Sequence, residues 1–305
     1  MLRFAKYHGL GNDFILMDGL STPMEMSAQI ALRLCDRHFG VGADGVILVL
    51  PSAVADCRMQ LINSDGSEAE MCGNGLRCLA QFVWDERLIC KTEMTVETLA
   101  GLKHPRLRVN GERVVEIFVE MGQPLLRACD VPTTLVAPDA KAMDAPLELD
   151  GVTWQVTVLN TGVPHCVIFV SDVQAVDWRA LGPRIVDHPA FPHKTNVMFT
   201  QVVARDHLRV RPWERGAGAT LACGTGAGAA AVAAALTGRA ERDVQVTLPG
   251  GMLRIQWDAN CDEIMMTGPA ERVFVGQLSD RAAAKSLDKS ANKASAVSGP
   301  PRPSA

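Results

Sequence analysis

The 305-residue chain lacks a strong excess of charge of either sign. Its formal net charge is −4, and no large basic patch stands out in the sequence. Proteins that bind nucleic acid generally carry clustered Lys and Arg, so this balance argues against nucleic acid as the main partner. A small-molecule ligand fits the composition better.

Long apolar runs are also missing. None reaches the roughly 18 to 20 residues that a membrane-spanning helix needs, and the most apolar stretch, residues 227–236, is short and rich in alanine. The N-terminus lacks the apolar core and cleavage site of a signal peptide. These absences predict a cytoplasmic protein that has no membrane segment.

No Cys-x-x-Cys pair occurs among the nine cysteines. Their odd number and irregular spacing favour free thiols in a reducing compartment. The histidines do not lie at zinc-ligand spacing from the cysteines, so we expect no metal. The glycine-rich loop at residues 40–45 precedes a strand, whereas a dinucleotide fingerprint follows one. We therefore expect no cofactor.

Two cysteines stand out because each precedes a glycine-rich helix start. Cys72 is followed by Gly-Asn-Gly and a helical run at residues 76–88, and Cys223 by Gly-Thr-Gly and the run at residues 227–236. Unpaired N–H groups and the dipole at a helix N-terminus favour a thiolate, so we expect a lowered pKa for the thiol that acts as a base. The other cysteines are expected to be inert buried residues: Cys35, Cys57, Cys78, Cys90, Cys129, Cys166 and Cys261.

The two cysteines are 151 residues apart, and other features recur at that offset. The segment Gly-Asn-Asp-Phe at residues 11–14 corresponds to Gly-Val-Pro-His at residues 162–165. Asn63 corresponds to Glu214, and each lies nine residues before its cysteine. The chain therefore consists of two diverged copies of one half.

Short apolar segments bounded by Gly, Pro and Asn predict strands in much the same order in both halves. The expected strands are 2–8, 14–18, 46–50, 93–99, 105–109, 113–121, 152–158, 166–170, 197–203, 207–211, 244–248, 252–257 and 263–267, with further helices at 24–38 and 173–187. We predict an α+β fold of two pseudo-symmetric domains, each a curved, mostly antiparallel sheet wrapped around a central helix. The domains are placed at residues 1–122 and 123–269, and residues 281–305 are expected to form a disordered tail.

Two thiols that face one cleft across a pseudo-twofold axis can invert a stereocentre. One removes a proton from a carbon held between them, and the other returns a proton to the opposite side. The glycines beside each cysteine let backbone N–H groups approach a carboxylate, which stabilises the enolate-like charge that develops.

Several segments together resemble the diaminopimelate epimerase family. They are Gly-Leu-Gly-Asn-Asp-Phe (9–14), Asn-Ser-Asp-Gly-Ser (63–67), Met-Cys-Gly-Asn-Gly-Leu-Arg-Cys (71–78), Pro-His (164–165), Thr-Asn-Val (195–197), Glu-Arg-Gly (214–216) and Cys-Gly-Thr-Gly (223–226). The resemblance implies a cofactor-independent, two-base epimerase that converts LL- to meso-diaminopimelate on the route to lysine and peptidoglycan. It also implies that the last strand, at about residues 270–277, returns to the first domain, and it suggests a homodimer.

The resemblance assigns roles to residues at the matching positions. Cys72 and Cys223 would be the paired acid and base, and His165 and Glu214 would help to set their protonation. The distal amino-acid end of the substrate would be bound by a polar set, and the reacting carboxylate by the two helix starts. These ligands are Asn12, Asn63, Asn196, Glu214 and Arg215 for the polar set, and Gly73, Asn74, Gly224 and Thr225 for the helix starts.

Two positions depart from the family pattern, and two other functions remain open. Val163 stands where members often carry Asn, and Gly45 where some carry glutamine, so one or two substrate contacts must be absent or supplied elsewhere. One alternative is another enzyme of the same fold, such as a proline or hydroxyproline racemase or a double-bond isomerase. The other is a non-catalytic thiol switch based on a disulfide between the two cysteines. Both thiols are present, which disfavours the isomerase, and the polar set favours a substrate with a second charged end.

Overall fold

The computed structural model describes residues 2–278. Residues 281–305, the expected disordered tail, lie outside this range. No helix within it is long and apolar enough to cross a membrane.

Strands dominate both halves of the chain. The first part contains β1 (Leu2–Gly9), β2 (Asn12–Asp18), α1 (Ala28–Cys35), β3 (Gly45–Leu50), β4 (Cys57–Asn63), β5 (Glu68–Ala69), α2 (Gly73–Asp85), β6 (Val96–Thr98), β7 (Gly101–Lys103), β8 (Arg106–Asn110) and β9 (Arg113–Gly122). The second part contains β10 (Ala142–Leu149), β11 (Val152–Asn160), β12 (Pro164–Phe169), α3 (Trp178–Val186), β13 (Asn196–Ala204), β14 (His207–Glu214), β15 (Gly218–Ala219), α4 (Gly224–Leu236), β16 (Asp243–Leu248), β17 (Gly251–Trp257), β18 (Ile264–Gly268) and β19 (Glu271–Leu278).

The strands form two sheets with the same pattern of pairing. The first sheet has the order β19-β1-β2-β3-β4-β6-β7, and the second begins β10-β11-β12-β13-β14-β16-β17. Along both orders the pairings are antiparallel, antiparallel, parallel, antiparallel, parallel and antiparallel. The register repeats as well, because Phe14 pairs with Gly45 and His165 pairs with Asn196. This repetition confirms the two pseudo-symmetric halves of an α+β fold.

Each half surrounds one central helix of 13 residues, α2 or α4. Helix α4 lies against strands β11 to β14 and β16 to β18, and its residues 226–234 are all buried. Its many alanines have small side chains, so strands can approach it from several directions. Helix α2 lies in the same way against β1, β2, β3, β4, β9 and β19.

The two halves exchange strands near their boundaries. Strand β19 comes last in the described chain, yet it pairs antiparallel with β1 in the first sheet. Strands β8 and β9 lie within residues 1–122, yet β9 pairs with β18 and extends the second sheet. Strand β9 also packs on α2, where Met121 lies against Gly73. Sheet pairing therefore does not follow a division at residue 122, and the domain boundaries stay a prediction.

Helix ends differ from those predicted because side chains cap the helices. Helix α1 is shorter than the predicted span 24–38, since Ser27 Oγ accepts the N–H of Ile30 at its start. The Asp36 carboxylate then accepts the N–H groups of two following residues and turns the chain away. Helix α3 covers 178–186 of the predicted 173–187, beginning at its cap Asp177.

Candidate active site

Cys72 and Cys223 are the N-cap residues of the two central helices. Cys72 Sγ lies 3.4 Å from the backbone N of Gly75, and Cys223 Sγ lies 3.3 Å from the backbone N of Gly226. Each sulfur thus accepts an N–H of the first helical turn, which has no carbonyl partner within its own helix. Helix α2 accordingly begins at Gly73, three residues before the predicted run.

The two helix starts meet at Met266. A Cβ atom added to Gly73 would lie 2.8 Å from Met266 Cε, and one added to Gly224 would lie 2.9 Å from Met266 Sδ. Asn74 Nδ2 also donates to the carbonyl of Ala222, the residue before the second thiol. The two glycines are therefore needed because helix backbones and a methionine side chain pack closely here.

Burial raises the pKa of both thiols. At Cys72 it outweighs the opposite effect of the Gly75 N–H group and the Arg77 charge. At Cys223 the negative charge of Glu214 adds to burial, and the pKa lies well above that of an ordinary thiol. The expected lowering of a thiol pKa is wrong for this structure, because the sequence locates a helix start without revealing how deeply it is buried.

Glu214 lies beside Cys223. Its carboxylate accepts a hydrogen bond from the Thr220 hydroxyl. Burial raises the pKa of Glu214, while the Thr220 hydroxyl and the nearby Cys223 thiol act in the opposite direction. An ionisable oxygen therefore lies next to the second thiol, and the role of Glu214 in thiol protonation stays a prediction.

His165 is completely buried on β12. Neither of its ring nitrogens has a hydrogen-bond partner among residues 2–278. Burial, with the positive charge of Arg215, lowers the pKa of His165 to about 3. The imidazole is therefore neutral near pH 7. Its predicted role in thiol protonation stays a prediction.

The predicted ligands of the second half lie at the ends of neighbouring strands. Asn196 is buried, and its Oδ1 accepts the backbone N–H of Arg215 at 2.9 Å. The Arg215 side chain is exposed, and its Nη1 donates to the His193 carbonyl at 2.9 Å. Thr225 lies 3.5 Å from Cys223 through its hydroxyl. The structure thus brings these residues to one end of α4.

The first half contributes Asn12, Asn63 and Asn74. Asn12 Oδ1 accepts from Asn74 Nδ2 at 3.1 Å and lies 3.8 Å from Cys72 Sγ. Asn63 is half-buried, and its amide donates to Ser67 Oγ at 3.0 Å. Asn12 therefore lies beside the first thiol, whereas Asn63 bonds within its own turn.

Three polar residues of this region were not singled out from the sequence: Asp44, Arg77 and Thr220. Asp44 Oδ2 accepts from Asn12 Nδ2 at 2.7 Å, and Arg77 Nη2 donates to Asn74 Oδ1 at 2.9 Å. For Asp44 the available signal was a carboxylate directly before a buried strand. For Arg77 it was a charge within an otherwise buried helix.

The remaining cysteines divide into two groups. Cys35, Cys57, Cys78 and Cys166 are buried, as predicted. For Cys90, Cys129 and Cys261 the prediction of burial is wrong, because all three are exposed. Within the described part of the chain, no group of three His, Cys, Asp or Glu residues is arranged to hold a metal ion.

Solved structures of low sequence identity share this fold. A phenazine biosynthesis protein of the PhzF family from Bacillus anthracis matches with a TM-score of 0.66 at 16% identity, over 91% of this chain and 99% of that one. A probable proline racemase from Agrobacterium radiobacter K84 matches with a TM-score of 0.66 at 16% identity, over 92% and 93% of the two chains. At these identities the likeness concerns the fold alone.

Sequence relatives are much closer. Diaminopimelate epimerase 1 of Nostoc sp. strain PCC 7120 is 52% identical over 281 residues, which are 91% of this chain and 99% of that protein. The diaminopimelate epimerase of Synechocystis sp. strain PCC 6803 is 51% identical over 278 residues, 90% and 98% of the two chains. The model of the family described as diaminopimelate epimerase matches residues 4–126 and 157–273. From this match and these relatives, the chain belongs to the diaminopimelate epimerase family.

Proposed function

We propose that the protein interconverts LL- and meso-diaminopimelate by a two-base mechanism that uses Cys72 and Cys223. The observation that carries this proposal is the pair of thiols, each capping one of two helix starts that meet at Met266. Relatives about half identical over nearly the whole chain bear the name of this enzyme. The predicted biosynthetic role of this reaction is to supply a precursor of lysine and peptidoglycan.

The active form would hold one thiolate and one thiol. The thiolate removes the α-proton of the substrate, and the thiol on the opposite face donates a proton to the same carbon, so the configuration is inverted. In the reverse direction the two cysteines exchange roles. The step needs no third acid or base, because the proton that one sulfur gains is matched by the proton that the other loses.

Charge that develops on the reacting carboxylate would be stabilised at the helix starts. The first N–H groups of α2 and α4 have no carbonyl partner within their helices, and the positive ends of both helix dipoles meet here. Gly73, Asn74, Gly224 and Thr225 belong to these first turns. We assign the reacting carboxylate to these backbone groups.

The distal amino-acid end would contact the polar side chains beyond the thiols. The exposed guanidinium of Arg215 is suited to a carboxylate because it presents paired donors. Asn12, Asn63 and Asn196 supply amide groups, and Glu214 supplies an oxygen for an ammonium group. Gly45 lies against Ile62 O and Leu61 Cδ1, each 3.0 Å from an added Cβ, so no larger side chain fits there unless these neighbours shift.

Isotope exchange tests the reaction class. Reduced protein in deuterated water is expected to replace the α-hydrogen of LL- or meso-diaminopimelate without added pyridoxal phosphate, as followed by proton NMR. Free proline serves as the control substrate and is expected to retain its α-hydrogen. If reduced protein exchanges neither stereoisomer, the proposal is wrong, and exchange of proline would indicate a racemase instead.

Alanine variants test the two-base assignment. Cys72→Ala and Cys223→Ala are each expected to abolish epimerisation, because each removes one of the two proton-transferring groups. Cys90→Ala is the matched control. It changes an exposed cysteine of the first half that lies outside both helix starts, and it should keep the parent rate. Turnover near the parent rate in either of the first two variants would contradict the mechanism.

We also propose a homodimer in a reducing cytoplasm. Strand β19 is an edge strand, and its Val273, Phe274 and Val275 expose 42–55% of their surface. Nine free cysteines suit a reducing compartment. Sedimentation equilibrium is expected to give twice the mass of the chain, and a monomer mass at micromolar concentration would contradict the dimer.

A further inference from the structure

Arg77 is a charged side chain that is completely buried behind the Cys72 helix start. It lies in the second turn of α2. Its Nε donates to the Pro269 carbonyl at 3.1 Å, its Nη2 donates to Asn74 Oδ1 at 2.9 Å, and its Nη1 lies 3.3 Å from Met266 Sδ. Pro269 and Met266 belong to the end of the second sheet and the loop that follows it. The guanidinium is therefore held between the two halves, next to the place where their helix starts meet.

No carboxylate balances this charge in the part of the chain that the structure describes. The ionisable groups that act on Arg77 are the thiols of Cys72 and Cys78. An isolated buried cation is unfavourable, so its surroundings favour the ionised form of any acid that lies near it. Cys78 is a buried core thiol, whereas Cys72 is partly exposed and faces the site.

The side-chain amides of Asn74 and Asn12, beside Cys72, are oriented by a charged residue at each end of the pair. Arg77 can only donate, so it fixes Asn74 with Oδ1 towards the guanidinium and Nδ2 towards Asn12. At the other end Asp44 accepts from Asn12 Nδ2 at 2.7 Å and is itself paired with Arg37. Asn12 Oδ1 is thereby turned towards Cys72 Sγ, where at 3.8 Å it accepts the S–H of the neutral thiol. Arg77 thus acts on Cys72 in two ways: its charge favours the thiolate, and the oriented amides hold an acceptor beside the sulfur.

The second helix has no equivalent of this arginine. At the repeat offset, Arg77 corresponds to Gly228 in α4, where an added Cβ would meet only Ile264, at 3.6 Å. The charge beside Cys223 is instead the negative one of Glu214. The two thiols therefore cap similar helices, but a cation acts on Cys72 in addition to Glu214, whereas the charge that acts on Cys223 is that of Glu214.

We propose that Arg77 is a positioning residue that favours the thiolate of Cys72 over that of Cys223 and holds the Asn74 and Asn12 amides in one orientation. This inference rests on the proposed function for its role in turnover, whereas its effect on thiol ionisation is independent of the substrate. The Arg77 guanidinium touches no reacting atom, and its role is to favour the ionised state of Cys72, the first base.

The other charged groups around Cys72 determine the expected sign. On α2, Arg77 lowers the pKa of Cys72, and the backbone N–H groups of Gly75 and Asn74 act in the same direction. From β14, Glu214 raises it. The Asn12 amide oxygen, which accepts from the thiol, also favours the neutral form. Removing the Arg77 charge leaves burial, Glu214 and this acceptor less opposed, so we expect the pKa of Cys72 to rise.

Alkylation kinetics resolved by peptide mass spectrometry measure this effect. In Arg77→Met the apparent pKa of Cys72, taken from the pH dependence of its reaction with iodoacetamide, is expected to rise by about one unit. Arg77→Lys retains the charge and should shift it less. Cys223 in the same samples is the internal control and should change less than Cys72. Arg87→Met, which removes an exposed arginine paired with Glu112, should leave both thiols unchanged.

An unchanged pKa at Cys72 in folded Arg77→Met, or an equal rise at both thiols, would overturn the proposal. A purely structural role would lower the midpoint of thermal unfolding without this selective shift. The outcome does not depend on diaminopimelate, so failure of the proposed reaction and failure of this inference are distinguishable.

A measurement on the wild-type chain covers the case in which Arg77→Met does not fold. In protein labelled with ¹⁵N-arginine, the Nε–H resonance of Arg77, assigned by its loss in Arg77→Lys, is expected to move with pH as Cys72 ionises. The titration should disappear in Cys72→Ser and persist in Cys223→Ser. A resonance that is invariant in wild type over the range in which Cys72 becomes reactive would refute the coupling.

Discussion

At the start of each central helix, one sulfur atom accepts the N–H that a serine or aspartate oxygen usually accepts. A neutral thiol is a weak acceptor, and a thiolate is a strong one. Ionisation of Cys72 or Cys223 therefore strengthens the cap of its own helix. The same contact that lowers the energy of the thiolate links the state of the reacting group to the order of the first helical turn.

His165 gives a prediction at the scale of a single residue. Its pKa is about 3 in the folded protein, below the value of about 6.5 expected for an unfolded chain. Below pH 6.5 the unfolded chain therefore binds a proton that the native imidazole does not, and stability falls as the pH falls. Between pH 6.5 and pH 5 this loss amounts to about 2 kcal/mol.

Urea unfolding of His165→Asn checks this expectation. The variant lacks the titrating group, so its free energy of unfolding should fall less than that of the parent over the same pH interval. His104→Asn replaces an exposed histidine and should follow the parent. Parallel pH dependence in His165→Asn and the parent would show that His165 does not titrate in this way.

At this scale the sequence predicted identities better than environments. Cys72, Cys223 and Glu214 lie where the repeat placed them, because an offset along the chain is a local property that folding preserved. The direction of the thiol pKa was not predictable, since burial depends on strands from the whole chain. Arg77 was missed for the same reason: two of its partners, Met266 and Pro269, lie about 190 residues away.

At the scale of elements, the two central helices have equal lengths, but their glycines differ in how closely neighbouring side chains pack against them. In α4, a Cβ on Gly226 would lie 2.4 Å from Met198 Sδ and 3.1 Å from Cys223 Sγ. A Cβ on Gly228 would meet nothing closer than 3.6 Å. Gly226 is therefore required by packing at the thiol, whereas Gly228 is not.

Two glycine-to-alanine substitutions within α4 form a matched pair. Gly226→Ala is expected to lower both the epimerisation rate and the free energy of unfolding, because the methyl group must displace Met198 or the thiol. Gly228→Ala should stabilise the protein by up to about 1 kcal/mol through helix propensity, with activity unchanged. Urea unfolding and the exchange assay measure both quantities. Equal effects of the two substitutions would contradict this assignment.

Element types were predictable where the apolar pattern was regular, and element ends were not. Strands β3, β9 and β17 lie within one or two residues of their predicted spans. Strand β10 was missed because its sequence Ala-Met-Asp-Ala-Pro-Leu-Glu-Leu alternates weakly and contains a proline. Helix α1 was overestimated because its caps, Ser27 and Asp36, lie inside an apolar pattern that continues beyond them.

At the scale of the whole molecule, strand β19 connects the end of the described chain to its beginning. Leu278 pairs with Leu2, and the Phe274 ring packs edge-on against Phe4 with centroids 6.0 Å apart. Gly276 lies against the same ring, where a Cβ would be 2.5 Å from Phe4 Cζ. This strand covers buried side chains of the first sheet and completes the hydrogen bonds of β1.

Truncation separates the role of β19 from that of the residues after it. A chain that ends at Leu278 is expected to keep the parent activity and unfolding midpoint. A chain that ends at Ala270 loses the cover of Phe4 and should lose at least about 3 kcal/mol of stability. Thermal unfolding and the exchange assay measure these effects. Parent-like stability in the shorter chain would show that β1 does not depend on β19.

The exchange of strands between the two sheets was the least predictable property of the molecule. Apolar patterns specify that a segment is a strand, but pairing between β9 and β18 depends on register across about 145 residues. The return of β19 was expected only from the family resemblance, since nothing local in residues 271–278 points to β1. Pairing between strands far apart in the chain depends on which sheet edges are still unpaired after neighbouring segments have paired.

The pairing of β1 with β19 also fixes an order of events during synthesis. Strand β1 leaves the ribosome well before β19, because all the other described strands lie between the two in the chain. Until β19 is made, one edge of β1 has no permanent partner, and Phe4 lacks its cover. The first half thus reaches its final state after the second half has been made. Pairing of β1 with β19 closes the long stretch of chain between them, and we expect it to be a late, slow step of folding.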